Sequence, residues 1–158
     1  MRVVIVLFTV LVTSTAFGQN WTHYENARYG ALADVPPGFA PMGPEARNSD
    51  GLIFRSQQGG ALLTIFGASV PNKNFEAYIE SQKEHDTSYN GWKLGDSSVT
   101  PDWAEYSGAL GGRQLRVRTI TACSGKHALT AKLEFNGNFS SVVSRVFRSL
   151  KEGAAKAC

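Results

Sequence analysis

The amino-acid sequence predicts an α+β fold in which helices pack on the faces of an antiparallel β-sheet. Apolar and polar residues alternate along several segments, most regularly in His127–Phe135, as expected for a strand with one buried face. Apolar residues recur every three or four positions in two other segments, Asn74–Ser88 and Ser140–Lys151, as expected for amphipathic helices. Because strands precede and follow the first helix, the order is typical of an α+β domain.

The first 18 residues predict an export signal and not a part of this fold. Arg2 precedes an apolar run, Val3–Val12, and the small residues Ala16 and Gly18 stand before the expected cleavage site. The run is too short for a membrane-spanning helix, which needs about 20 apolar residues. We therefore expect a single domain of residues 19–158, located in the periplasm or secreted, with no transmembrane segment.

The first half of this domain predicts strands separated by turns. Pro36 and Pro37 cannot donate to a sheet ladder, so they should end the second strand in a turn. Residues 40–51 are rich in Pro, Gly and Asn and predict a mobile loop. Gly59 and Gly60 predict a tight hairpin connection. The expected strands are Trp21–Tyr24, Ala31–Val35, Leu52–Ser56 and Ala61–Ala68.

The second half predicts two helices with strands between them. Asn74 can cap the first helix, which should bury Phe75, Tyr78 and Ile79. Three further strands should form an antiparallel meander with one face in solvent. The last helix should bury a stripe of apolar residues and continue to Lys151. The three expected strands are Trp103–Ala109, Gln114–Ala122 and His127–Phe135.

Two cysteines, Cys123 and Cys158, are the only cysteines of the chain. Exactly two thiols in an exported protein predict a disulfide, because oxidising compartments favour the paired state. Closing this loop would stabilise the fold by roughly 3 to 4 kcal/mol at most. The alternative, that one thiol is a nucleophile or a metal ligand, lacks a Cys-x-x-Cys motif to support it.

The charge pattern does not indicate a nucleic-acid partner. The chain carries 16 basic and 13 acidic residues, and the basic ones are scattered apart from Arg113, Arg116 and Arg118. A protein that binds nucleic acid usually concentrates positive charge on one face, where it displaces counterions from phosphates.

The motifs of several enzyme classes are missing from the sequence. There is no Gly-x-Ser-x-Gly, and His23, His85 and His127 are dispersed. Glu84, His85 and Asp86 are consecutive helical positions, which point about 100° apart and cannot converge on one metal ion. No phosphate loop, dinucleotide fingerprint or calcium loop is present. We therefore expect a protein that is not an enzyme and needs no cofactor or metal.

One enzymatic alternative stays open, since a pair of carboxylates could hydrolyse glycosidic bonds. The two acids would have to face each other at roughly 5 to 10 Å, and the sequence cannot place any two of them so. The acids nearest turns or strand ends are Asp34, Asp50, Asp96, Asp102 and Glu105.

Aromatic residues are the remaining candidates for contacts with a partner, because Trp and Tyr dominate binding hot spots as well as cores. Trp103 is expected in the core. Trp21 and Trp92 lie beside expected loops, so each is a candidate partner-binding residue and equally a candidate core residue.

The segment Tyr29–Phe39 is similar to the opening of PsbP-like domains, and Trp103–Leu150 resembles their C-terminal half. The motif Asn26–Gly30 also resembles the opening of small exported proteins of Gram-negative bacteria, which carry one cysteine in a late strand and another near the C-terminus. The chain departs from the pattern at Ala31, where an aromatic residue is usual. The resemblance implies an α/β/α sandwich, used as a docking surface by photosystem II extrinsic subunits and by a Ran-binding protein. It assigns no catalytic residue.

These observations favour a monomeric, non-catalytic binding or accessory domain whose partner is an unidentified periplasmic or envelope protein. A first alternative is an inhibitor of a cell-wall hydrolase that would present the loop of residues 40–51 to its target. A second alternative is an envelope-glycan hydrolase that uses paired carboxylates.

Overall fold

The computed structural model describes residues 20–45, 47–154 and 158, so the expected export signal lies outside the described residues. Two α-helices are present in the described chain, α1 (Phe75–Ser88) and α2 (Ser140–Ser149). The strands are β1 (Thr22–Glu25), β2 (Ala31–Val35), β3 (Phe39–Pro41), β4 (Gly51–Ser56), β5 (Ala61–Ser69), β6 (Lys93–Val99), β7 (Trp103–Leu110), β8 (Arg113–Ala122), β9 (His127–Phe135) and β10 (Lys151–Glu152).

Seven strands form the main antiparallel sheet, in the order β3-β4-β5-β9-β8-β7-β6, and a small sheet has the order β1-β2-β10. Helix α2 and strand β2 pack on one face of the main sheet, in a core that includes Leu129 and Leu133 of β9. Helix α1 packs on the opposite face, in a cluster that includes Ala128 of the same strand. Successive residues of a strand point to opposite faces, so the helices lie in separate layers. The expected α+β fold, with helices on an antiparallel sheet, is confirmed.

Strand β9 lies at the centre of the main sheet and shows how the helices bury both of its faces. Its residues Leu129, Ala131 and Leu133 are fully buried under α2 and β2, as the alternation predicts. The expectation that the other face is in solvent is wrong at Ala128 and Thr130, which are 0% and 2% exposed. Helix α1 covers these residues, and the sequence does not reveal that this helix lies over this face.

Helix α1 is held to the sheet by a buried polar cluster as well as by apolar contacts. Its N-terminus is capped as predicted, since the backbone N–H of Ala77 donates to Asn74 Oδ1 at 3.0 Å. Near its C-terminus the carboxylate of Asp86 accepts hydrogen bonds from Tyr106 Oη at 2.8 Å and from the Lys132 ammonium at 2.5 Å. Burial, followed by the charge of Asp86, raises the pKa of Tyr106 far above its ordinary value.

Two elements differ from the sequence-based expectation at the ends of the sheets. Strand β6 was not expected, because its residues are mostly polar and exposed, as is usual for an edge strand. Helix α2 ends at Ser149, not at Lys151, because Leu150 takes an extended conformation and the chain then pairs with β2 as β10.

Ala40 and Pro41 were expected to open a loop, but together with Phe39 they form strand β3, which pairs with β4. Proline is tolerated there because β3 is an edge strand and Pro41 needs no ladder donor on its free side. In the part of the chain that the structure describes, no helix has the length and apolar character to cross a membrane.

Candidate functional site: a groove beside helix α2

One half of the main sheet is uncovered on the face that carries α2. Helix α2 and β2 cover β9 and β5, whereas β7 and β8 extend beyond them. The pairing register places Arg116 and Arg118 on the same face as the core residues Leu133 and Ala131 of β9. These arginines therefore stand beside α2 and not under α1.

The uncovered strands and α2 enclose a cleft of about 310 Å³, which we call the α2 groove. The groove is lined by Glu105, Arg116, Arg118, Val143, Ser144, Phe147 and Arg148. A second cleft of about 360 Å³ continues it toward the start of α2 and shares Arg116, Val143 and Ser144. The added part is lined by Gln114, Phe139 and Ser140, among others. The two clefts thus form one continuous groove along the helix.

The sequence of α2 gives its wall of the groove a polar rim above an apolar floor. Ser140, Ser144 and Arg148 recur every four residues, so they lie along one line of the helix, and all three are exposed. Val143 and Phe147 lie beside that line and are 6% and 7% exposed. A ligand in the groove would therefore meet both polar groups and the edge of the core.

The groove carries a positive charge that is only partly neutralised. Three arginines and one glutamate line the first cleft, of about 310 Å³, which gives it a net charge of +2. Arg118 forms an ion pair with Glu105, and its guanidinium lies 5.5 Å from the ring centre of Trp103. Arg116 and Arg148 are exposed, and neither forms an ion pair with another described residue. Two guanidinium groups are thus available to an anionic partner.

The two tryptophans predicted as candidate contacts have different environments. Trp92 is 4% exposed and packs with Tyr106, Leu115 and Val117, so of its two alternatives the structure shows the core residue and leaves no exposed ring for a partner. The turn at Gly91 directs its side chain back to the sheet, and the backbone N–H of Trp92 donates to the carbonyl of Asp86.

Trp21 is half-buried and remains a candidate contact outside the groove. The guanidinium of Arg145 lies 4.1 Å from the centre of its ring, and Arg145 Nε donates to Asp34 at 2.9 Å. Trp103, which was expected in the core, is half-buried beneath Arg118.

The five candidate acids are dispersed except for one pair. Asp34 binds Arg145 and Asp50 binds Arg28 at 2.8 Å, while Asp102 is exposed at a turn. Asp96 and Glu105 line one small cleft together with Arg116. That cleft measures about 100 Å³, well below the roughly 300 Å³ at which ligand pockets begin, and Glu105 is paired with Arg118. This arrangement gives little support to glycoside hydrolysis.

The motif Asn26–Gly30 has a structural role in the described residues. The amide of Asn26 donates to Glu45 at 3.1 Å and to the carbonyl of Ser49, while its oxygen accepts the N–H of Tyr29 at 2.6 Å. Tyr29 also packs against Gly67, where any β-carbon would collide with its ring. The motif therefore fastens Glu45 and Ser49, which belong to the segment of residues 40–51 that the sequence predicts as a mobile loop.

The two cysteines meet at the end of β8. Their Cα atoms are 5.2 Å apart, within the range of disulfide-bonded pairs, and their sulfur atoms are adjacent. His127 lies beside them, with its ligand atom within 4.8 Å of both sulfurs, and its Nδ1 is buried without a hydrogen-bond partner among the described residues. Two thiolates and an imidazole suit Zn²⁺, but sulfurs in a disulfide cannot coordinate it. The disulfide itself stays a prediction.

The other histidines do not join such a cluster. His23 is exposed on β1, and His85 is exposed and stacks on Tyr89. Asp86, next to His85 in the chain, is buried against the sheet, so these neighbours point apart as predicted.

Solved structures of Mog1 have a similar fold. The structure of the Ran-binding protein Mog1p of Saccharomyces cerevisiae superposes with a TM-score of 0.63 at 9% identity, over 85% of this chain and 96% of the other. A point mutant of the protein Mog1 gives a TM-score of 0.61 at 9% identity, over 84% of this chain and 96% of that one. This chain shares the Mog1 fold.

At 9% identity the likeness to Mog1 concerns the fold alone. It agrees with the fold that the resemblance to PsbP-like domains implies. No protein-family model matches the chain, and no curated protein matches it. The bacterial and exported character implied by the sequence stays a prediction.

Sequence reasoning missed the α2 groove, although two signals point to it. Arg116 and Arg118 are two positions apart in one strand and therefore share a sheet face. Ser144 and Arg148 are four positions apart in a helix and therefore share a helix face. What the sequence lacks is the position of α2, which brings the two faces together.

Proposed function

We propose that this protein is an exported, non-catalytic domain that binds a protein partner through the α2 groove. The observation that supports this most is the pair Arg116 and Arg148, whose guanidinium groups are exposed beside an apolar floor and form no ion pair with a described residue. Arginine is enriched at protein interfaces, where its fork binds carboxylates and its stem packs on apolar groups.

Three further observations support a binding role. The fold is shared with Mog1p, a Ran-binding protein, so this fold can serve to bind a protein. The candidate acids are mostly paired with arginines, and the cleft that holds two of them is small. The apolar run after Arg2 and the adjacent sulfurs of Cys123 and Cys158 fit an oxidising compartment outside the cytoplasm.

Site-specific photo-cross-linking of the full chain in its host tests the proposal. A photoreactive residue at Ser144 lies in the groove, whereas one at Ser88 lies on α1, on the opposite side of the sheet. Both serines are exposed, so the two variants form a matched pair. We expect a protein adduct of defined mass from the Ser144 variant only, recovered from the periplasmic or secreted fraction.

The proposal fails if the two positions give the same adducts, or if neither gives any. The claim that the protein is exported fails if the mature protein is found in the cytoplasm. Fractionation of the same cells separates these two outcomes.

A further inference from the structure

We infer that the segment bound in the α2 groove is an acidic peptide of the partner protein that also carries apolar side chains. This inference rests on the proposed function and adds the chemistry of the partner. It concerns the charge of the groove, its floor, and the way in which the sheet can be approached.

The charge of the groove selects an anionic ligand. Arg118 is already paired with Glu105 through Nη1, although its Nε is buried without a hydrogen-bond partner among the described residues, whereas Arg116 on β8 and Arg148 on α2 line the groove from opposite walls without an ion pair. A carboxylate between these walls can be held by the planar fork of a guanidinium, which donates two parallel hydrogen bonds. Two such carboxylates, one for each arginine, would anchor a segment across the groove.

The apolar floor of the groove favours a ligand that carries apolar side chains as well as negative charge. Val143 and Phe147 are almost fully buried. Phe139, which lines the second cleft, is half-buried, and its ring is tilted against that of Phe135 at 5.3 Å between ring centres. An apolar side chain of the partner would cover these groups and exclude water from the arginine–carboxylate pairs. Water exclusion strengthens those pairs, as in the centres of protein interfaces.

The edges of the main sheet do not favour binding by strand addition. Strand β3 has three residues and ends in Pro41. Strand β6, at the other edge, has an irregular register between Leu94 and Ser97. Short, proline-bearing or bulged edge strands resist pairing with another chain. The peptide should therefore lie along α2 instead of extending the sheet.

A nucleic acid or a membrane fits these features less well than a peptide. Nucleic acids require several phosphate contacts, but the groove offers two unpaired arginines and the whole chain has a net charge of only +3. A lipid surface would need protruding apolar side chains, whereas Val143 and Phe147 lie at the bottom of a cleft.

The test uses a fluorescein-labelled octapeptide with six glutamates, one leucine and one phenylalanine, and the full chain as the cells process it. A second peptide replaces every glutamate by glutamine. We expect saturable binding of the glutamate peptide by fluorescence anisotropy. The double variant Arg116→Glu/Arg148→Glu should weaken it about tenfold or more, and each single variant about threefold. Raised salt should weaken binding as well.

Arg55→Glu is the matched control for each single groove variant, because Arg55 is an exposed arginine of β4 outside the groove and the substitution makes the same charge change. Binding by this variant should equal that of the wild type. The neutral variant Arg116→Gln/Arg148→Gln should also weaken binding, which separates loss of the two forks from repulsion.

The inference is overturned if the glutamine peptide binds equally well, if Arg55→Glu weakens binding as much as the groove variants, or if the glutamate peptide does not bind. It is also overturned if an oligothymidylate or vesicles with anionic lipid bind more tightly than the glutamate peptide. Cross-linking at Ser144 distinguishes failure of this inference from failure of the proposed function. An adduct without peptide binding rejects the acidic segment and leaves the proposed function, whereas the lack of a specific adduct rejects the function.

Discussion

Replacing Lys132 by methionine should destabilise the protein by leaving the carboxylate of Asp86 without its cation. The side chains of Lys132 and Asp86 are 16% and 4% exposed, so their ion pair is largely screened from water. Removing one partner of a buried pair costs about 3 to 5 kcal/mol, because the other charge stays buried and uncompensated. The hydrogen bonds from Tyr106 and Asn90 remain, so we expect a cost near the lower limit, about 3 kcal/mol.

Thermal unfolding followed by circular dichroism at pH 7 measures this loss. A domain of this size loses roughly 3 °C of Tm for each kcal/mol, so Lys132→Met should lower the Tm by about 9 °C. Lys83→Met is the matched control, because Lys83 pairs with Glu80 on the surface at 2.9 Å and such pairs contribute about 0 to 1 kcal/mol. The double variant Asp86→Asn/Lys132→Met should recover part of the loss, since no buried charge remains.

The reasoning is refuted if Lys132→Met and Lys83→Met melt within about 2 °C of each other, which corresponds to less than 1 kcal/mol. It is also refuted if the double variant is as unstable as the sum of its two single variants. Either result would mean that Asp86 is not a desolvated carboxylate that holds α1 to the sheet.

Three further predictions concern other parts of the fold. Burial raises the pKa of Tyr78 to about 12 and raises that of Tyr106 further, so the free energy of unfolding should be unaffected by these groups below pH 10 and should fall as the pH rises toward 12. Urea titrations of Tyr78→Phe should show a flatter decline with pH than the wild type, and an equal decline would contradict this. Non-reduced mass spectrometry of the mature protein should show a mass about 2 Da below that of the dithiol, and Cys158→Ser should cost up to roughly 4 kcal/mol. Two free thiols would disprove the bridge. Asn26→Ala should speed amide exchange in residues 47–50 without a comparable change in α1, since Asn26 holds Glu45 and Ser49, and equal effects in both places would count against a local role.

The elements that the sequence predicts best are those with strong local patterns. The stripe of Val143, Val146 and Phe147 predicts α2, and the alternation in His127–Phe135 predicts β9. In both cases the pattern arises from burial on one side of the element, which is a property of neighbouring residues.

The elements that the sequence did not predict depend on contacts distant along the chain. Strand β6 has no buried face of its own and is defined by pairing with β7, so its residues lack an apolar alternation. Trp92 is buried because side chains of β7 and β8 enclose it, although it follows a turn that suggests exposure. Neither property is encoded within a few residues.

The candidate site also depends partly on local patterns and partly on contacts distant along the chain. The positions of Arg116 and Arg118 on one strand face can be read from the sequence, but their exposure depends on where α2 stops covering the sheet. That limit is set by the packing of α2 between β2 and β9, a tertiary property. A sequence with the same arginines and a helix shifted over β8 would have no groove.

Hydrogen–deuterium exchange on the protein in complex with the partner captured at Ser144 is the most direct measurement of the central claim, that the α2 groove is the binding surface. We expect slower exchange in peptides that cover α2 and the part of β8 around Arg116, with α1 unchanged. Protection of α1 or of β4, with α2 and β8 unaffected, would contradict it.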